Sequence, residues 1–86
     1  MSRVLVVEDD PMVGKTLVDL LDLHGYPAVR AESGEQGLAF LAEGGFGIVL
    51  LDIRLPGMSG FETCTRIREA HGPSLPVIMM AGVCNR

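Results

Sequence analysis

The sequence predicts an α/β fold, a parallel sheet with helices on both faces. Two observations predict it. Continuous apolar runs stand at 4–7 (VLVV), 48–51 (IVLL) and 77–80 (VIMM). Runs of this length suit strands buried on both faces, the habit of parallel sheets. Stretches with helical apolar spacing lie between them, and this alternation implies right-handed crossovers.

Taken in order, the first strand is the run at 4–7. Asp10 can then cap a helix with Pro11 at its first position, where the missing N–H costs nothing. Val13, Leu17, Leu20 and His24 recur at helical spacing with Leu21 beside them, and Gly25 is a natural stop. A weaker strand is expected at 28–31. Ser33 can cap a second helix with Leu38, Leu41 and Ala42 on one face and Gly44-Gly45 at its end. Gly34 and Gly37 make this helix the weakest. The strand at 48–51 follows. A third helix is expected over about 60–71, with Phe61, Cys64 and Ile67 inward and Gly72-Pro73 as its stop. The strand at 77–80 completes the order β-α-β-α-β-α-β.

With 86 residues the chain holds one domain at most, with a modest core. A mean hydropathy of +0.34 is rich for so small a chain and fits strands buried on both faces, or a partner that covers something. The net charge of −4 and seven scattered basic residues give no nucleic-acid footprint. No apolar run is long enough to span a membrane or serve as a signal peptide. The two cysteines, Cys64 and Cys84, lack a C-x-x-C spacing and are expected as free thiols in a reducing cytosol. Cys64 is expected in core packing. His24 and His71 sit at helix ends, where a structural role beside the dipole is expected.

The stretch VEDDPMVGKT, residues 7–16, carries two contrary signals. Gly14-Lys15-Thr16 looks like the tail of a phosphate-binding loop, G-x-x-x-x-G-K-[ST]. The first glycine of that motif would fall on Asp9, with acids on either side. Carboxylates there would repel a phosphate, so the nucleotide reading fails and an early helical turn with a solvated lysine is preferred. The acids make better sense together. Glu8 and Asp9 follow the first strand and Asp52 follows the third. In open α/β sheets, ligands bind beyond the carboxyl ends of strands. If those strands are neighbours, three carboxylates converge. Two of them about 4 Å apart repel by roughly 4 kcal/mol at an effective dielectric of 20. A hard divalent cation with oxygen ligands, Mg²⁺, relieves that repulsion and can bring a phosphoryl group with it.

The segment LLDIRLPGMSG, with VLVVEDDP before it and LPVIMMA after it, resembles the receiver domain of two-component response regulators. The resemblance runs through the chain in order and implies a flavodoxin-like sheet in strand order 2-1-3-4 with three helices. It implies a cytoplasmic signalling module of a phosphorelay rather than an enzyme. Asp52 matches the phosphoacceptor. Asp9 matches a direct Mg²⁺ ligand and Glu8 a ligand acting through water, while the backbone carbonyl of Arg54 matches a third protein ligand. Leu55-Pro56-Gly57 matches the turn that shapes the pocket floor. The implied partner is a sensor histidine kinase or phosphotransfer protein, with no nucleic acid or membrane contact by this chain.

The sequence departs from the family near its end. The family places Thr or Ser after the fourth strand; here that place holds Ala81, or Gly82 in the alternative alignment. The family continues through a further helix, a fifth strand with a phosphate-pairing lysine, and a last helix. The chain stops at Arg86, so residues 1–86 are expected to form a partial receiver domain, and Lys15 is not expected to replace the lysine. The fourth strand is then expected as an exposed apolar edge, which invites a homodimer. The alternative expectation is therefore a truncated, signalling-incompetent receiver that acts as a self-associating or interaction module.

Overall fold

A computed structural model describes residues 2–81. The elements are β1 (Arg3–Val7), α1 (Pro11–Leu23), β2 (Ala28–Ala31), α2 (Gly34–Glu43), β3 (Phe46–Asp52), α3 (Gly60–His71) and β4 (Val77–Met80). The strands form one parallel sheet in the order β2-β1-β3-β4. All seven expected elements are present, and the strand order is the flavodoxin-like one.

Local chemistry explains the helix bounds. The Asp10 carboxylate accepts the backbone N–H groups of Met12 and Val13 at 2.9 and 3.3 Å, and Pro11 follows it. Ser33 and Ser59 cap α2 and α3 by accepting from Gln36 and Glu62. Each satisfies donors that a helix start leaves orphaned. Positive-φ glycines follow all three helices, at Gly25, Gly44 and Gly72. His24 and His71 do lie at helix ends.

Alternation along the strands divides the core. Leu5, Val7, Val49 and Leu51 face α2 and α3, where they pack with Ala31, Leu41 and Ile67. Cys64 is a free thiol, half-buried against this cluster; Cys84 lies outside the described residues. α1 covers the opposite face over β1 and β2. There Val4 and Val6 are buried, while Ile78 on β4 is 50% exposed. Among the described residues β4 is an edge strand, as expected.

The apolar faces expected on the three helices need correction. Val13, Leu20 and His24 on α1 are exposed; the helix instead turns buried Gly14 and half-buried Leu17, Val18 and Leu21 inward. α1 is apolar over much of its circumference, so spacing alone does not choose the face, and the tight approach at Gly14 does. On α3, Phe61 is 64% exposed, and fully buried Thr63 takes the inward place beside Ile67. Thr63 satisfies its hydroxyl by donating to the Ser59 carbonyl at 2.8 Å, so a polar residue can sit there without loss. Ala42 on α2 is also exposed, while Gly34 and Gly37 are buried. The two glycines that weaken α2 intrinsically allow it to lie close to Thr63 and Val7.

Candidate functional site

The parallel register carries the acids to one place. Val7 on β1 lies opposite Leu51 on β3, so the next residues, Glu8 and Asp52, emerge side by side at the carboxyl end of the sheet. Asp9 stands one residue further. Each of Glu8, Asp9 and Asp52 offers a carboxylate oxygen, and these atoms lie within 4.8 Å of one another. Glu8 and Asp52 are each only 7% exposed; Asp9 is exposed.

Backbone donors hold the buried carboxylates. Asp52 Oδ1 accepts the N–H of Arg54 at 3.1 Å, and Glu8 Oε2 accepts the N–H of Asp10 at 3.2 Å. The crowding is not fully relieved. Burial, then the neighbouring charges and carboxyls of Asp52 and Asp9, push the Glu8 carboxyl up to about 7, against the pull of the Asp10 N–H. A bound cation would offset both, because an opposite charge favours the ionised carboxylates. Three hard oxygen donors at this spacing fit Mg²⁺, which takes one or two carboxylates directly and reaches others through its own waters.

The loop after β3 closes the other side. Pro56 precedes Gly57, whose φ of +72° is a left-handed conformation that glycine adopts without strain. The chain then enters α3 at Gly60, which packs against the end of β3. A β-carbon there would collide with the Asp52 carbonyl oxygen and lie 2.7 Å from Ile53 Cα. Gly60 N–H also donates to the Ile53 carbonyl at 3.0 Å. Asp52 is therefore gripped by its own strand and by the start of α3.

Ala81 stands just beyond Met80, which pairs with Asp52 across β3 and β4. Ala81 offers no hydroxyl at that place; Gly82 lies outside the described residues. Lys15 pairs with Asp19 on the α1 surface at 2.7 Å and is solvated, as expected. Sequence reasoning missed Arg30. Its guanidinium donates to the carbonyls of Glu8 and Asp9, each at 3.0 Å. The available signal was a charged residue inside the short strand AVRA.

A family model for the response regulator receiver domain matches residues 4–85. The chain belongs to the response-regulator receiver family. YkoG, an uncharacterised transcriptional regulatory protein of Bacillus subtilis, is 39% identical over 79 residues, which are 92% of this chain and 34% of that protein. Protein PilH of Pseudomonas aeruginosa is 33% identical over 81 residues, 93% of this chain and 67% of its own length. The response regulator TrrA of Thermotoga maritima, solved in complex with Mg²⁺-BeF, superimposes with a TM-score of 0.87 at 34% identity. The match covers 96% of this chain and 71% of that one. TrrA solved in complex with the histidine kinase ThkA gives a TM-score of 0.88, covering 99% of this chain and 72% of that one. The chain thus spans about a third of the length of YkoG.

Proposed function

We propose that this chain is a phosphoacceptor module. It binds Mg²⁺ through Glu8, Asp9, Asp52 and the backbone carbonyl of Arg54. It accepts a phosphoryl group on Asp52 from the phosphohistidine of a sensor histidine kinase or phosphotransfer protein in the cytoplasm. The observation that carries this reading is the convergence of three carboxylates, two of them buried, at the carboxyl end of neighbouring strands.

The step is a transfer between two nucleophiles. The phosphorus–nitrogen bond to the donor imidazole breaks as a phosphorus–oxygen bond forms to Asp52, and the imidazole leaves with the electron pair. Arg54 N–H holds Oδ1, leaving the other oxygen of Asp52 for attack. Bound Mg²⁺ supplies charge neutralisation for the phosphoryl oxygens. Such transfer needs little from the protein beyond in-line positioning and neutralisation. With Ala81 in place of a hydroxyl, the described residues give the phosphoryl group one donor fewer than the family's usual arrangement. Incubation with Mg²⁺ and a small phosphodonor, followed by peptide mapping, tests the reading: one covalent phosphoryl label on Asp52 is expected, and a label elsewhere or none overturns it.

Metal binding should depend on pH with a definite sign. Glu8 titrates near 7 in the metal-free protein, and a ligand carboxylate must be deprotonated. Apparent Mg²⁺ affinity is therefore expected to be flat above pH 8 and to fall as pH drops below 7, approaching about tenfold per unit. Titrations at pH 8, 7 and 6 check this. Equal affinity at all three would remove Glu8 from the metal site.

Self-association through β4 is a second property we propose, because Ile78 is half exposed on a strand that edges the sheet among the described residues. Sedimentation at two protein concentrations is expected to show a dimer that Ile78→Lys abolishes. A monomer at both would end that reading and leave the phosphoacceptor reading untouched.

A further inference from the structure

Gly14 belongs to the stretch that first looked like a phosphate loop, yet it lies in the first turns of α1, where glycine is a poor helix former. Its surroundings explain it. A β-carbon at position 14 would lie 2.5 Å from Arg30 Cδ and 2.6 Å from Arg30 Nε. The bare glycine is the floor over which the Arg30 side chain runs from β2 to the turn after β1. Beyond that floor the guanidinium divides its donors. Nε donates to the Glu8 carbonyl and Nη2 to the Asp9 carbonyl, each at 3.0 Å. These are the backbone carbonyls of the two acids whose side chains meet Asp52.

We propose that Arg30, seated on Gly14, is a positioning residue for the metal site: it locks the turn between β1 and α1 so that Glu8 and Asp9 present their carboxylates together toward Asp52. The inference rests on the Mg²⁺-binding reading above. The planar guanidinium fork supplies two donors in fixed relative geometry, so both carbonyls are held in one orientation. An ammonium is a point donor and cannot fix both in the same way. The guanidinium also places a permanent positive charge on the backbone side of the acids, where it does not compete for the metal. Gly14 and Arg30 therefore form one device, and changing either should disturb it.

The test is a cycle of Arg30→Ala, Gly14→Ala and the double variant, with Arg30→Lys as the conservative change. Two quantities are read on folded protein well below its unfolding midpoint. One is Mg²⁺ affinity by amide chemical-shift titration. The other is hydrogen exchange of the Asp10 and Met12 amides without metal. Arg30→Ala is expected to weaken Mg²⁺ binding by about tenfold, the low end for groups that orient metal ligands. It should also speed exchange at Asp10 and Met12 while leaving β4 unchanged. Gly14→Ala should give a similar loss by displacing the guanidinium. The double variant should be no worse than Arg30→Ala alone, because the methyl then has nothing to displace. Lysine should recover part of the affinity. Wild-type affinity in Arg30→Ala, or additive losses in the double variant, would overturn the proposal. If the unaltered protein binds no Mg²⁺, the function proposed above falls, and the exchange measurement decides the role of Arg30: faster exchange upholds the turn lock and unchanged exchange rejects it.

Discussion

Asp52→Asn is expected to abolish phosphoryl acceptance while leaving the fold intact and somewhat more stable. Asparagine keeps the shape of the side chain and can still accept the Arg54 N–H through its oxygen. It removes the nucleophilic carboxylate, so labelling by a small phosphodonor should drop to background, and Mg²⁺ binding should weaken with the loss of one charge. The stability gain follows from the crowding. Two carboxylates within 4.8 Å repel by about 3.5 kcal/mol or more at an effective dielectric of 20 when both are ionised. Since Glu8 titrates near 7, that repulsion is largely present at pH 8 and largely absent at pH 5. In wild type, folded Glu8 retains a proton that the unfolded chain gives up at its ordinary value of 4.5. Stability without metal should therefore decline as pH rises from about 4.5 to 7. Removing Asp52 lowers the Glu8 value toward normal and flattens that decline. Urea midpoints at pH 5 and pH 8 should separate the variant from wild type mainly at pH 8, by about 1–2 kcal/mol in its favour after solvent and relaxation reduce the Coulomb figure. Persistent labelling, or a gain confined to pH 5, would contradict the assignment of Asp52 and its coupling to Glu8.

The legible parts of this protein were those written in adjacent residues. Strands buried on both faces show as unbroken β-branched runs, and an acid directly after such a run must emerge at the carboxyl end of the sheet. Glu8, Asp9 and Asp52 needed only the adjacency of β1 and β3 to converge, and the register provides it. Caps are equally local, as Asp10 and Ser33 show. What spacing could not say was which side of α1 faces the sheet. Met12, Val13, Leu17, Val18, Leu20, Leu21 and Leu23 encircle that helix, and the decision came from a glycine rather than from an apolar side chain. Phe61 misled for a related reason. Its spacing with Cys64 and Ile67 suggested burial, but α3 meets α2 at Gly34 and Thr63, so small partners define the contact and Phe61 points to solvent. Arg30 was invisible because its partners are backbone carbonyls more than twenty positions away, and no side-chain pattern encodes them.

The largest expected loss of stability comes from one methyl group at Gly60. An alanine β-carbon would strike the Asp52 carbonyl oxygen and crowd Ile53 Cα at 2.7 Å. Both neighbours are backbone at the end of β3, so no rotamer change can make room. Two opposing magnitudes decide the sign. Alanine is the better helix former by at most about 1 kcal/mol, and less at the first helical position. Overpacking against groups that cannot yield costs about 1–3 kcal/mol or more. The clash should win, with a net loss of about 2–3 kcal/mol and a midpoint lowered by roughly 10–20 °C for a domain of this size. The damage should also reach function, because relief requires the start of α3 to move away from the backbone that carries Asp52. Phosphoryl labelling of the folded fraction at low temperature is then expected to slow, whereas a remote change of equal stability cost would leave it unchanged. Gly25→Ala is a suitable contrast. That position has a positive φ of 87° but nothing within 4 Å of the added carbon, so it should lose some stability to backbone strain and keep its labelling rate. A Gly60→Ala protein with a wild-type midpoint would show that α3 is not seated on the end of β3.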